Sequence, residues 1–119
     1  MRLGLVQINP VVGDLDGNRR LILERLEAAR AQGADLVLFP ELAVTGYPPE
    51  DLLLRPGFIR AAESSVEAIA REARGTTVLV GGPHFDRDLY NACFVLSGGE
   101  VKAVYRKRFL PNYLSLIHI

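Results

Sequence analysis

Glu41 comes directly after Pro40 and the apolar run Leu36-Val37-Leu38-Phe39, and Lys107 follows an alternating run that ends at Tyr105. In open α/β sheets the working residues sit beyond the carboxyl ends of strands, where both are expected. A carboxylate and an ammonium at neighbouring strand ends have the chemistry of a general base and an oxyanion stabiliser. On position alone, an ordinary surface glutamate and an ordinary surface lysine explain the same pattern. Cys93 sits inside Tyr90-Asn91-Ala92-Cys93-Phe94-Val95-Leu96, mid-strand, where a buried inert thiol in the core is expected. His84 lies in Gly82-Pro83-His84-Phe85-Asp86 and reads as a solvated loop histidine, with ligand or acid–base chemistry as its alternative. Neither Gly81-Gly82 nor Gly98-Gly99 belongs to a G-x-G-x-x-G or G-x-x-x-x-G-K-[ST] phosphate loop.

Short elements must position these residues. Leu3 to Ile8 reads as a strand closed by Asn9-Pro10. Turn and cap residue types fill 11–18, and from Arg19 a helical stripe of Ile22, Leu26 and Ala29 runs to Gly33. Leu36 to Phe39 is the second strand, kept extended by Pro40. Glu41 to Pro56, with Gly46, Pro48 and Pro49, reads mainly as a loop. Ile59, Ala62, Val66, Ile69 and Ala73 mark one face of a second helix, from Gly57 to a stop at Gly75. Thr76 to Val80 is a third strand ended by Gly81-Gly82-Pro83. Tyr90 to Leu96 and Glu100 to Tyr105 form a hairpin about Gly98-Gly99. This order predicts an α/β fold with a largely parallel sheet, an antiparallel hairpin and both helices on one face.

The chain has 119 residues, one domain at most or part of one. Its 14 basic and 14 acidic residues cancel, which argues against a nucleic-acid arm or a polybasic membrane tag. Arg106-Lys107-Arg108 is too short a basic run to change that. Apolar residues make up 49% and charged residues 24%, the mix of a soluble globular domain. One cysteine makes no internal disulfide, and with two histidines it makes a structural zinc site a poor expectation. Apolar runs stay far below the roughly 20 residues of a spanning helix, and no secretory signal opens the chain. A cytoplasmic protein with no nucleic-acid or membrane partner is expected.

Phe39-Pro40-Glu41-Leu42, with Thr45-Gly46-Tyr47-Pro48-Pro49-Glu50-Asp51-Leu52-Leu53, resembles the carbon–nitrogen hydrolase (nitrilase) superfamily. The opening Leu5-Val6-Gln7-Ile8-Asn9-Pro10, then Gly13-Asp14 and Asn18, is similar to the start of its glutaminase domains. Tyr105-Arg106-Lys107-Arg108-Phe109-Leu110-Pro111-Asn112-Tyr113 is similar to their lysine motif. F-P-E-L marks only the superfamily. G-Y-P-P-E-D-L-L and K-x-x-L-P-N-Y together resemble the glutaminase domains of glutamine-dependent NAD+ synthetases, over residues 1–113 in register.

That resemblance implies part of a nitrilase-type α-β-β-α sandwich and a cysteine–glutamate–lysine triad. It implies Glu41 as proton acceptor, Lys107 as triad lysine stabilising the oxyanion, and Tyr113 in an L-glutamine pocket. The nucleophile and a second glutamate lie beyond the lysine motif in the family and have no counterpart here, so 1–113 is expected to be an incomplete, inactive glutaminase domain. No cofactor is expected in these residues. ATP, magnesium and deamido-NAD+ belong to a synthetase domain of the longer protein, which the resemblance implies is a homo-oligomer. A role for Pro48-Pro49-Glu50-Asp51 in assembly or gating stands beside a plain polar loop. Other amidases of the superfamily, an ω-amidase or a carbamoyl-amine hydrolase, and a non-catalytic α/β binding module are the competing readings. Leu114-Ser115-Leu116-Ile117-His118-Ile119 resembles the translated end of a transposon used in sequencing libraries, and is expected to be a non-native tail.

Overall fold

A computed structural model describes residues 1–108. The expectations for Tyr113 and for the tail 114–119 fall outside the described residues. Strands β1 (Leu3–Leu5), β2 (Leu36–Leu38), β3 (Thr77–Asp86), β4 (Asp88–Ser97) and β5 (Glu100–Arg108) form one sheet in chain order. Helix α1 (Leu15–Ala31) joins β1 to β2, and helix α2 (Pro56–Arg71) precedes β3. The β1–β2 and β2–β3 pairs are parallel, while β3–β4 and β4–β5 are antiparallel. The expected α/β sheet is present, parallel at its start and closed by long hairpins.

Helix α1 begins four residues ahead of the expected Arg19. Asp14 caps it, its carboxylate accepting from the Gly17 N–H at 3.0 Å, a bond of the kind that stabilises a helix start by about 1 kcal/mol. The apolar stripe is interrupted at Asn18, which faces inward and is buried. Helix α2 starts on Pro56, where the missing N–H costs nothing, and ends at Arg71 rather than near Gly75. Its expected face is buried at Ile59, Ala62, Val66 and Ile69, and Ala73 follows, also buried, just past the helix. The expected loop over 41–56 contains a 3-10 turn at Glu50–Leu54.

Strand β3 does not stop at Val80. It runs through Gly81-Gly82-Pro83 to Asp86, because β4 continues to pair with it there. The Leu79 carbonyl accepts from Phe39 on the β2 side, and the Gly81 carbonyl accepts from Val44 on that same side. Alternation puts the Pro83 nitrogen on that side too, away from β4, so no β3–β4 ladder bond is lost. At the other end of β4, Gly98 and Gly99 have φ of 61° and 83°, as a two-residue type I′ turn requires.

Both helices cover one face. Ile22 and Leu26 of α1 and Ala62, Val66 and Ile69 of α2 form one core with Val37, Val78, Val80, Phe94 and Leu96 of the sheet. Alternation sends Leu3, Leu5, Leu36, Leu38, Leu79, Asn91, Cys93, Tyr105 and Lys107 to the opposite face. Among the described residues no element lies over that face, and Leu5 and Tyr105 are about 72% and 69% exposed.

Candidate active site

Glu41 leaves β2 on a tight turn. Leu42, next in sequence, is fully buried and held at φ 52°, a left-handed conformation that costs a non-glycine residue energy and clusters at functional sites. The turn is tied from several directions. Val44 donates to the Gly81 carbonyl at 3.1 Å, and Gly46 donates to the Leu42 carbonyl at 2.9 Å. The Asn18 amide donates to the carbonyls of Val11 at 2.8 Å and Val44 at 3.1 Å, while its oxygen accepts from the Val11 N–H at 2.8 Å. Asn18 thus joins the loop before α1 to the loop that carries Glu41. Its place in the opening motif has a structural cause.

The turn meets the sheet at Gly81. A Cβ there would lie 2.4 Å from the Leu42 nitrogen, so only glycine admits this approach. The result is a cleft of about 360 Å³ on the uncovered face of the sheet, walled by Phe39, Pro40, Glu41, Gly81, Asn91, Cys93, Tyr105 and Lys107. The structure brings Glu41 and Lys107 to one cleft, where both are solvent-exposed. Glu41 lies just past the end of β2 as expected, whereas Lys107 lies within β5 and not beyond it, because β4 keeps pairing with that strand as far as Arg108. Asn91 and Lys107 are directly opposite on β4 and β5. The Asn91 side-chain amide donates to Glu41 Oε1. Asn91 had no expectation attached to it; a lone asparagine in an apolar strand carries no signal until alternation places it beside Lys107. A larger cavity of about 620 Å³, between the 3-10 turn, α2 and the β3–β4 tip, and one of about 300 Å³ along β1 and α1, contain neither Glu41 nor Lys107.

Two further expectations need correction. Cys93 is mid-strand as expected, but it is not in the core: alternation points it away from the helices, into the cleft, and it is only half-buried. Burial nevertheless pushes its thiol pKa up, which keeps it protonated and unreactive at neutral pH. His84 is not in a loop. It lies on β3, its Nδ1 3.2 Å from Glu63 Oε2 on α2 and its ring edge-on to Phe94 at 5.8 Å. That is a packed helix-to-sheet contact. Arg106 points opposite to Lys107; it pairs with Asp86 at 3.0 Å and stacks 5.4 Å above Tyr90. Among the described residues no group of three His, Cys, Asp or Glu side chains could hold a metal ion, and no helix is long and apolar enough to cross a membrane.

Residues 2–117 match the carbon–nitrogen hydrolase family. The chain belongs to that family. Among carbon–nitrogen hydrolases, it is 46% identical over 115 residues to a glutamine-dependent NAD(+) synthetase of Thermotoga maritima, covering 95% of this chain and 20% of that protein. It is 48% identical to the namesake of Xanthomonas campestris pv. campestris, over 95% of this chain and 21% of the relative. The crystal structure of a glutamine-dependent NAD(+) synthetase from Cytophaga hutchinsonii superposes with a TM-score of 0.87 at 31% identity, over 94% of this chain and 20% of that one. An amidase from Nesterenkonia sp. AN1, seen after Michael addition of acrylamide at its active site cysteine, gives a TM-score of 0.78 at 29% identity, over 90% of this chain and 44% of that one. The chain thus spans about one fifth of the length of the synthetases it matches.

Proposed function

We propose that this carbon–nitrogen hydrolase chain is the N-terminal segment of a glutaminase domain in a longer glutamine-dependent NAD+ synthetase. There the domain hydrolyses the side-chain amide of L-glutamine, and the ammonia serves an ATP- and magnesium-dependent amidation of deamido-NAD+ carried out elsewhere in the protein. The observation that carries this reading is the convergence of Glu41 and Lys107 on one cleft, in a chain nearly half identical to such synthetases. That identity favours this reading over a different amidase or a non-catalytic binding module.

In this mechanism a cysteine thiol supplied from outside the described residues gives its proton to Glu41. The thiolate attacks the amide carbon, and the Lys107 ammonium stabilises the oxyanion that forms. Glu41 returns the proton to the departing nitrogen, ammonia leaves, and water hydrolyses the glutamyl thioester. Glu41 and Lys107 are exposed in this segment alone; covering the cleft would dry it and strengthen both interactions. Homo-oligomeric assembly and a cytoplasmic location belong to the same proposal.

The test uses the full-length protein. Glu41→Gln is expected to lower glutamine-dependent NAD+ formation by about 10²–10⁴-fold and Lys107→Ala by about 10²–10³-fold. Both should leave the reaction with free ammonium intact. Equal loss of the ammonium-dependent reaction would defeat the assignment.

A further inference from the structure

The cleft holds a third polar side chain between the two that the proposed mechanism uses. Asn91 is about 8% exposed, on a strand face that it shares with Cys93 and Val95. Its amide donates to Glu41 Oε1, and its direct cross-strand neighbour is Lys107. Residues opposed in this way have Cβ atoms about 5 Å apart, so Lys107 and Asn91 project side by side into the cleft, with Glu41 bonded to Asn91. The amide orientation follows from chemistry, since an ionised carboxylate accepts only and Asn91 must present Nδ2 to it.

We infer that Asn91 is a positioning residue for the general base. It engages Oε1, so proton acceptance falls to Oε2. It also fixes the carboxylate with a neutral donor, which leaves the Lys107 charge for the oxyanion instead of neutralising Glu41 in a direct ion pair. An exposed glutamate otherwise samples several rotamers, and each ångström of misplacement of a reacting group costs rate. Asn91 is itself held in the middle of a three-stranded antiparallel ladder, opposite Pro83 on one side and Lys107 on the other. The base, which sits on a turn, thereby gains a reference point in the sheet.

This inference rests on the proposed glutaminase reading, and one experiment separates the two. Asn91→Ala and the near-isosteric Asn91→Asp are made in the full-length protein beside Glu41→Gln. Asn91→Ala and Asn91→Asp should lower kcat for glutamine hydrolysis by about 10–100-fold, with the KM for glutamine and the ammonium-dependent rate little changed. If Asn91→Ala fails to fold, shown by loss of its cooperative thermal transition, Asn91→Asp decides, because it keeps the volume and replaces the donor with an acceptor. Wild-type kcat in Asn91→Asp, a loss confined to KM, or an equal loss of the ammonium-dependent rate overturns the positioning role. Undiminished glutamine hydrolysis in Glu41→Gln overturns the glutaminase assignment of this cleft instead.

Discussion

Val44 donates its backbone N–H to the carbonyl of Gly81 across 3.1 Å, in line with the bond from Phe39 to Leu79 that ends the β2–β3 ladder. The turn that carries Glu41 is in effect an irregular continuation of β2 along the edge of β3. Its height above the sheet is set by the missing side chain at position 81.

Gly81→Ala should therefore disturb both stability and the site. The new methyl would meet the Leu42 nitrogen at 2.4 Å, the Pro40 carbonyl oxygen at 3.0 Å and the Glu41 carbonyl carbon at 3.1 Å, all backbone atoms that cannot rotate away. Overpacking of this kind costs about 1–3 kcal/mol. Thermal unfolding of the full-length protein should show a lower midpoint, accompanied by loss of glutamine-dependent activity. An unchanged midpoint and rate would show that the turn is free to lift.

Asn18→Leu should destabilise by about 2–4 kcal/mol, although it replaces a polar core residue with an apolar one of similar size. It would leave the Val11 N–H, the Val11 carbonyl and the Val44 carbonyl without their present partner. Denaturant unfolding measures this directly; a stability within about 0.5 kcal/mol of wild type would mean that water replaces the amide.

The 119-residue chain by itself should release no ammonia from glutamine. Cys93 lines the cleft, yet burial raises its thiol pKa, so at neutral pH the proton stays on sulfur. Its alkylation by iodoacetamide should be slow at pH 7 and accelerate only as pH passes above the ordinary thiol range. The same shift makes the folded state hold this proton longer than the unfolded chain, so its contribution to stability is complete at lower pH and is lost as pH rises through the folded value. Ammonia release abolished by Cys93→Ser would refute the inert role.

The same isolated chain should self-associate. Leu3, Leu5 and Tyr105 are about 51%, 72% and 69% exposed on the face opposite the helices, with Leu36, Leu38 and Leu79 half-buried among them. An apolar patch beyond a few hundred Å² is seldom left bare on a soluble monomer. Light scattering should show a mass that grows with concentration, and a dye for apolar surface should bind. Leu5→Lys should weaken both signals; a sharp monomer peak at all concentrations would contradict the prediction.

The residue pattern placed Glu41 just past the end of β2, because a short apolar run and the proline that stops it mark that strand end. It put Lys107 beyond β5, which instead runs on to Arg108 because the polar Arg106-Lys107-Arg108 run still pairs with β4. It misplaced the start of α1 because Asn18, a polar residue fully inside the core, breaks the apolar stripe that marks a helix. It ended β3 too early because glycine and proline usually stop strands; here Gly81 serves a close approach and Pro83 faces away from its pairing partner. It put Cys93 in the core because mid-strand position does not say which face the helices cover. Asn91 was invisible for the same reason. Its meaning lies in the β4–β5 register, which no local run of residues encodes.

The strand order 1-2-3-4-5 also bears on how the chain is made. Every strand pairs with its neighbour in sequence. The two parallel pairings each wait for a crossover that carries a helix, whereas the last two close through a turn at Arg87 alone and through Gly98-Gly99. During synthesis each new strand meets an edge already built by the one before it, and none waits for a partner still to be translated. Pairing between nearby segments closes fast, and domains assemble from the amino end as they emerge. Among these strands the wall of the cleft is assembled in order: Glu41 is in place early, but it acquires Asn91 and then Lys107 only when the β4–β5 hairpin has left the ribosome.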